Sequence, residues 1–423
     1  MRRIGCDDLV ADGALITPHE PNPFVGKTAP LLRERPKAPA ETSLLIAGLF
    51  SGIGGLEEGF RCAGHRSAML CESDPAARRV LSKCFPDTRI TTDVTALTAL
   101  PRCDVLTAGF PCQDLSQVGR RRGITGPNSG LIGVVFELLK NSRTRPNWIV
   151  LENVPFMLSL DRGKAIRAVT EELEALGYAW AYRVVNSMAF GLPQRRRRVV
   201  LVASRDDDPR PALLGIEAGV PKPKPRRSHA CGFYWTEGNT GLGWAVDAVP
   251  PLKGGSALHI PSPPAIWFPR RRLIATPAIE DAERLQGFKA GWTDTGDDEP
   301  RRTGKRWRMV GNAVSVPVAA WIGKRIAAKL PAFVCEDPIA LPSDASWPTA
   351  GWGMKGFRAR CDVSEWPVAV EAPHLVGFLE YAVTPLSKRA TSGFLGRLIK
   401  SSLRYEDAFR HDLEHHVEKI DRL

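Results

Sequence analysis

The chain has 423 residues, enough to bury a large core and to form two domains. Lysine and arginine outnumber aspartate and glutamate by 58 to 46, an excess that suits a polyanionic partner such as nucleic acid, although a basic solvated surface would look the same. Nine scattered cysteines without a CxxC pair argue against a disulfide framework or zinc cluster and favour a reducing cytoplasm, and neither a signal peptide nor a membrane span is predicted.

The chain begins with a Pro-rich stretch, residues 1–42, which predicts a loosely ordered arm because proline interrupts helices and central strands. The apolar run from Ser43 to Phe50 then predicts a buried parallel strand. Ser51-Gly52-Ile53-Gly54-Gly55 follows at once, and a helix is predicted after it. This layout is typical of a nucleotide-type cofactor site, because glycines let the backbone turn tightly and approach the ligand.

Acidic residues follow the next two predicted strands. Glu72 ends the strand that begins at Ala68, about 20 residues after the turn, where a carboxylate can accept hydrogen bonds from a ribose diol. Asp93 could accept a bond from an adenine amino group. The turn lacks both the three spaced glycines of a dinucleotide fingerprint and the Gly-Lys-Ser/Thr ending of a phosphate loop. A ligand with ribose and adenine but no phosphate chain fits better, and S-adenosylmethionine is the obvious candidate.

The organising stretch of the chain is Gly109-Phe110-Pro111-Cys112-Gln113, which follows a predicted strand from Cys103 to Ala108. A strand end flanked by a Gly- and Arg-rich segment can deliver a reactive side chain into a cleft, so Cys112 is the predicted nucleophile. A small buried core residue is the commoner fate of a cysteine, and the rest of the chain must therefore supply the supporting groups. Residues 117–127 are interpreted as a lid over a phosphate backbone or as an ordinary solvated loop.

Another acidic residue ends the next strand, residues 147–151, which is followed by Glu152-Asn153-Val154. Open α/β sheets keep their sites at this edge. Helices are predicted over 128–141 and 163–176, and strands over 179–187 and 199–202. Gln194 and the run Arg195 to Arg198 precede the last strand, and strand alternation should point two of the four arginines to one side, where they could hold phosphate or a pyrimidine oxygen.

After residue 204 the βα alternation stops, which predicts a second, smaller, irregular domain. A short helix over 280–288 and Gly311-Asn312-Ala313-Val314 follow, with a closing helix to about Leu330. The predicted domains are the arm (1–42), the cofactor-binding α/β domain (43–204), the second domain (205–275), a return to the first domain (276–330) and an extension without an assigned role (331–423).

In their order and spacing, these motifs resemble those of the DNA (cytosine-5) methyltransferases over residues 43–330. The match is carried by Phe50 to Gly55, Glu72, Asp93, Gly109 to Gln113, Glu152 to Val154, Gln194 to Arg198, Arg284 to Phe288 and Gly311 to Val314. The resemblance is specific, although Asp281 stands where the family commonly has glutamate. It implies an α/β fold, with an S-adenosylmethionine-dependent methyltransferase (Rossmann-like) domain and a smaller irregular target-recognition domain.

The resemblance also implies roles for individual residues and a set of partners. The implied catalytic residues are Cys112, Glu152, Arg196 and Arg198; the implied cofactor-binding residues are Phe50, Gly52, Ile53, Gly54, Gly55, Glu72, Asp93, Phe110, Pro111, Asn312 and Ala313; the implied substrate-binding residues are Gln113, Ser116, Asn153 and Gln194. No metal is expected. The expected partners are double-stranded DNA and a cognate restriction endonuclease acting on the same site, with the protein itself a cytoplasmic monomer that flips its target base out of the duplex.

Two alternatives stay open from the sequence. One branch of this family resembles tRNA methyltransferases, although the size of the second domain and the basic charge favour duplex DNA. A non-catalytic nucleic-acid-binding relative would keep the fold without the chemistry, but the intact Cys112, Glu152 and Arg198 argue against it. RNA methyltransferases that use two cysteines are disfavoured, because their second cysteine is replaced here by Glu152.

Overall fold

The computed structural model describes residues 43–110, 130–222, 229–237, 241–254, 263–296, 302–342 and 345–420. Strands and helices alternate as predicted in the first part of this chain, with shifts of a few residues at their ends. Its elements are β1 (Leu45–Leu49), α1 (Gly55–Cys62), β2 (Arg66–Cys71), α2 (Pro75–Cys84), β3 (Arg89–Thr91), β4 (Val105–Ala108), α3 (Gly130–Asn141), β5 (Trp148–Asn153), α4 (Lys164–Ala175), β6 (Ala179–Asn186), β7 (Arg197–Ser204) and α5 (Pro209–Leu214).

The second part of the chain has shorter elements. They are β8 (Cys231–Phe233), β9 (Ala245–Val246), β10 (Ala265–Phe268), β11 (Leu273–Thr276), α6 (Ile279–Leu285), α7 (Arg302–Asn312), α8 (Val316–Ala327), β12 (Ala350–Met354), β13 (Phe357–Arg360), α9 (Leu375–Phe378), β14 (Thr384–Pro385), α10 (Lys388–Lys400) and α11 (Asp407–Lys419). Within the described ranges, no helix is both long and apolar enough to span a membrane.

The larger sheet has the order β13-β12-β6-β7-β5-β4-β1-β2-β3. Strands β3, β2, β1, β4 and β5 are parallel, whereas β7, β6, β12 and β13 join antiparallel. The parallel strands β4 and β5 are buried along their whole length, as expected for strands covered on both faces. Because β1, β2, β4 and β5 run in one direction, the residues that follow them gather at one edge of the sheet.

The smaller sheet is antiparallel and has the order β14-β11-β10-β8-β9. Strands β8, β9 and β10 fall in the region predicted to be the second domain. Each has only two to four residues, which is too short to give the alternating pattern that predicts a strand.

The C-terminal extension is part of both sheets. Strand β12 pairs with β6 in the larger sheet, and β14 pairs with β11 in the smaller one. Helices α10 and α11 then cover the smaller sheet, where Phe394 and Phe409 are fully buried against Phe233. The indole of Trp267 donates a hydrogen bond of 2.9 Å to Asp412 on α11. The smaller sheet and the helices α10 and α11 that cover it are called the second region, and the larger sheet with its helices the first region. The extension therefore completes the hydrophobic core of the second region.

Candidate active site

The glycine turn after β1 and the acid after β2 lie together, as the sequence predicts. Phe50 and Gly52 have left-handed φ angles of 55° and 56°, which turn the chain sharply out of the strand. The amide of Gly52 donates a hydrogen bond of 2.8 Å to Glu72 Oε2, and the amide of Asp74 donates one of 2.7 Å to Oε1. Glu72 is therefore fixed at the mouth of the turn.

The glycines of this turn serve two different purposes. A Cβ placed on Gly52 would meet no heavy atom within 4 Å, so a ligand can approach the backbone there. A Cβ on Gly55 would collide with the carbonyl oxygen of Val314, so this glycine allows close packing. Gly54 precedes α1 with φ 84°, and the carbonyl of the buried Ile53 accepts a hydrogen bond of 2.9 Å from the Trp292 indole.

Asp93 lies just after β3, which pairs with β2, so it stands at the strand end next to that of Glu72. Its exposed carboxylate accepts hydrogen bonds of 2.8 Å from the Thr95 amide and 2.7 Å from the Thr95 hydroxyl. These bonds lower the pKa of Asp93 and keep it charged. The carboxylate has further acceptor capacity toward solvent.

Sequence reasoning missed Glu57, which is buried on α1 directly beneath the turn. Its Oε1 accepts hydrogen bonds from the hydroxyls of Thr107 on β4 (3.1 Å) and Ser51 in the turn (3.4 Å). Burial raises the pKa of Glu57 to about 7. Glu57 thus links the glycine turn to the strand that leads toward Cys112, and a single glutamate on an acidic helix start gives no sequence signal of this.

The ends of β4 and β5 form the second part of the site. A Cβ on Gly109 would lie 3.7 Å from Glu152 Oε2 and 3.8 Å from a methyl group of Val314. The side-chain amide of Asn153 donates a hydrogen bond of 3.0 Å to the carbonyl of the buried Phe110. Asn153 therefore holds the backbone that leads into the Pro-Cys-Gln motif. The predicted residues Pro111, Cys112, Gln113 and Ser116 lie outside the described residues.

Glu152 has a charged partner in a nearly dry environment. Only 8% of the residue is exposed, and Arg198 Nε on β7 lies 3.0 Å from its Oε1. Burial raises the pKa of Glu152, although the positive charges of Arg198 and Arg196 oppose this shift. A carboxyl group with a raised pKa next to a cation can hold a proton and donate it to a buried acceptor.

The predicted alternation of the arginine run is confirmed: Arg196 and Arg198 are turned inward, whereas Arg195 and Arg197 are exposed. The two inward residues differ in their contacts. The Arg196 guanidinium is fully buried and donates hydrogen bonds to three backbone carbonyls, those of Leu252 (3.1 Å), Gly311 (3.2 Å) and Ala313 (2.7 Å). Through these described contacts Arg196 joins segments of the second part of the chain to the edge of the larger sheet that carries Glu152. Periodicity in the sequence could not distinguish this structural role from contact with a substrate.

Gln194 has similar backbone contacts. It is fully buried, its amide nitrogen donates a hydrogen bond of 2.7 Å to the Leu285 carbonyl, and its amide oxygen accepts one of 3.1 Å from Leu252 N. Asn312 is exposed at the end of α7, and a Cβ on Gly254 would collide with its amide. The structure thus places both predicted residues at the junction of the two regions.

The fold and this edge together define a class of protein. A solved structure of Dnmt2 methyltransferase from S. pombe has a TM-score of 0.50 with this chain at 17% identity, and the match covers 66% of this chain and 96% of that one. The larger sheet and its helices therefore have the fold of that methyltransferase.

The family follows from the sequence comparisons. The model of the C-5 cytosine-specific DNA methylases matches residues 45–232. Type II methyltransferase M2.BsuMI of Bacillus subtilis (strain 168) is 46% identical over 381 residues, which are 87% of this chain and 97% of that protein. Type II methyltransferase M.NgoBV of Neisseria gonorrhoeae is 34% identical over 41% of this chain and 46% of its own length. The chain belongs to the C-5 cytosine-specific DNA methylase family and is a DNA (cytosine-5) methyltransferase.

Proposed function

We propose that the protein transfers a methyl group from S-adenosylmethionine to carbon 5 of cytosine in a specific double-stranded DNA sequence, through a covalent Cys112 adduct on a flipped-out base. The observation that carries this proposal is the ion pair of the buried Glu152 with Arg198, which adjoins Gly109, three residues before Cys112. A proton donor and a cation beside a nucleophile are what an addition to the cytosine ring requires.

The glycine turn fits the expected methyl donor. The open space above Gly52 admits a ligand to the backbone, and the carboxylates of Glu72 and Asp93 at neighbouring strand ends suit ribose hydroxyls and an adenine amino group. Bound there, S-adenosylmethionine would supply an electrophilic methyl group from its sulfonium. The segment Ala313-Val314 would close the pocket, because Val314 packs on Gly55 and also lies near Gly109.

Carbon 5 of cytosine is a weak nucleophile, and the protein residues must activate it. The Cys112 thiolate would add to carbon 6 and form a sulfur–carbon bond, which makes carbon 5 nucleophilic. Glu152 would donate its proton to ring nitrogen 3, so that negative charge does not build up on the ring. After methylation, water would take up the carbon 5 proton, the thiolate would leave carbon 6, and the proton on nitrogen 3 would return to Glu152, which restores the neutral aromatic ring. No step of this chemistry calls on a metal.

The thiolate must be populated near neutral pH, whereas a free cysteine has a pKa of about 8.5. Arg198 of the 195–198 run points inward and contacts Glu152, so its guanidinium would supply the positive charge that favours the thiolate. The same guanidinium would also stabilise the oxygen of the base. We assign the stretch 205–275 to target recognition in the major groove, with base-edge contacts from Arg, Asn or Gln.

The biological role we propose is the modification half of a restriction–modification system. The relatives named as type II methyltransferases support this role. It implies a cognate endonuclease that acts on the same site, and we expect a monomeric enzyme that works in the cytoplasm.

The test is methylation of a host genome. We would express the protein in cells without cytosine methylation and locate 5-methylcytosine by bisulfite sequencing. The expected result is one short motif methylated at nearly every occurrence, with no methylation by Cys112→Ala. Methyl transfer to tRNA but not to DNA, or methylation without a sequence motif, would contradict the proposal.

A further inference from the structure

Two histidines and an aspartate meet beside the smaller sheet. Strands β8 and β9 pair so that Cys231 lies opposite Val246. His229, two residues before Cys231, therefore lies near Asp247, the residue after Val246. His374 joins them from the C-terminal extension, and its Nδ1 lies 2.8 Å from Asp247 Oδ2. The two histidine rings are 5.2 Å apart, and one ligand atom from each of the three residues lies within 4.8 Å of the others.

The aspartate is held in position by the surrounding backbone. Asp247 is 3% exposed, and its Oδ1 accepts a hydrogen bond of 2.9 Å from the amide of Leu375. Its own amide donates one of 2.8 Å to the Ala230 carbonyl, and its φ of 53° lies in the left-handed region that few non-glycine residues adopt. A buried carboxylate fixed in this way, with an imidazole bound to its second oxygen, is a preorganised ligand set.

The donor types indicate which ion would bind. Two imidazoles and one carboxylate suit zinc and related transition ions, whereas calcium and magnesium prefer oxygen ligands alone. Zinc binds three protein ligands and a water in many sites, at about 2.0–2.2 Å from each nitrogen or oxygen. Ligand atoms at that distance from one ion lie about 3.4 Å from one another, so the widest separation of up to 4.8 Å would have to shrink by about 1.4 Å and the 2.8 Å His374–Asp247 contact would have to widen. His374 has the freedom to move because its side chain is 70% exposed.

We propose that His229, Asp247 and His374 form a binding site for one zinc-type divalent ion. The ion would fasten the C-terminal extension to the smaller sheet, because His374 precedes β14 and the two helices that cover that sheet. The site shares no residue with those assigned to methyl transfer. The sequence predicts no metal because its cysteines form no cluster, and its pattern does not show that two histidines 145 residues apart in the chain lie together.

Zinc titration of the full-length protein tests the proposal. The protein would be stripped with a chelator, dialysed, and titrated with zinc by calorimetry and by competition with a chromophoric chelator. We expect one high-affinity zinc per chain, and a rise in the thermal unfolding temperature on zinc addition. His374→Ala should weaken binding at least tenfold and abolish the thermal shift, and Asp247→Asn should weaken binding further.

His411→Ala is the matched control, because His411 is an exposed histidine on α11 outside the cluster. It should bind zinc as the parent does. His374 is also exposed, so its replacement should leave the circular dichroism spectrum unchanged, which separates lost binding from misfolding. The proposal is overturned if no zinc binds stoichiometrically, or if His374→Ala and His411→Ala bind it equally. In that outcome the His374–Asp247 contact is a hydrogen bond only.

Discussion

The two sheets of this protein differ in how their chain is arranged. In the larger sheet, the parallel strands β1 to β5 all come from one continuous stretch of the chain, and the functional residues that follow them lie at the same edge of the sheet. The smaller sheet takes its strands from residues 231–276 and from 384–385, and its core is completed by helices near the C-terminus. The first region can therefore be predicted from local motifs, whereas the second depends on contacts between distant segments.

The largest expected effect is on catalysis in the first region. Glu152→Gln keeps the size of the side chain but removes the acidic proton, so we expect kcat to fall by about 10²–10⁴-fold. The parent enzyme should lose activity as the pH rises through the raised pKa of Glu152, because the proton-carrying form is then depleted. Steady-state methyl transfer against pH measures both.

The control for this variant is Glu137→Gln, which removes a half-exposed glutamate on α3 that pairs with Lys140. Its kcat should equal that of the parent. If Glu152→Gln retained more than half of the parental kcat, the acid role assigned to Glu152 would be wrong.

Removing a buried ring from the second region sharpens the contrast between the sheets. Phe409→Ala deletes a fully buried side chain of α11 that packs on Phe233 and Trp267. We expect a loss of about 3–5 kcal/mol in the free energy of unfolding of this region. DNA binding should weaken while S-adenosylmethionine binding persists, as measured by calorimetry.

Phe357→Ala is the matched comparison, because Phe357 on β13 is 40% exposed and belongs to the larger sheet. It should change both affinities little. If Phe409→Ala removed cofactor binding and DNA binding together, the two regions would unfold as one unit, and their stabilities would not be independent.

A smaller effect is expected at the joint between β5 and the nucleophile segment. Asn153→Ala removes the hydrogen bond to the Phe110 carbonyl and leaves that buried acceptor without it. The cost should be about 1–3 kcal/mol, which corresponds to a fall in kcat of roughly 5- to 150-fold. The KM for S-adenosylmethionine should stay within a factor of two in initial-rate assays, because Asn153 holds the backbone of Phe110. If Asn153 contacted the cofactor instead, its removal would raise this KM.

The smallest effect concerns the buried Glu57. Burial raises the folded-state pKa from 4.5 to about 7, so the folded protein binds more protons than the unfolded chain between these values. This group therefore lowers stability as the pH rises through that window. Glu57→Gln does not ionise and should gain stability relative to the parent from pH 5 to pH 8. Thermal unfolding at both pH values measures this, and a difference that shrinks toward pH 8 would contradict it.

The functional residues at the edge of the larger sheet were predictable because a physical reason links each motif to its position and its role. A glycine turn after an apolar strand, followed by Glu72, predicts a ligand cradle wherever the strands are parallel. The same reasoning placed Glu152 at the edge of the sheet. It could not separate Arg198 from Arg196, since both point inward and only the packing of Leu252 and Ala313 decides which of them donates hydrogen bonds to those two distant carbonyls.

The second region was less predictable for two reasons. Its strands are too short to show alternation, and its core depends on Phe394 and Phe409, which lie more than 100 residues beyond β10. For the same reason, the sequence of the extension predicts no role for it. Likewise, nothing local indicates that Trp292 supports the cofactor turn through the Ile53 carbonyl.

The attack of Cys112 on the base can be tested most directly by trapping the covalent adduct. The protein would be mixed with S-adenosylmethionine and duplex DNA that contains 5-fluorocytosine, then run on a denaturing gel. Fluorine at carbon 5 blocks the final elimination, so we expect a protein–DNA band that requires the cofactor and is absent with Cys112→Ala. An unchanged band with Cys112→Ala would assign the nucleophile to another residue. Absence of any band on DNA that the enzyme methylates would contradict the covalent mechanism.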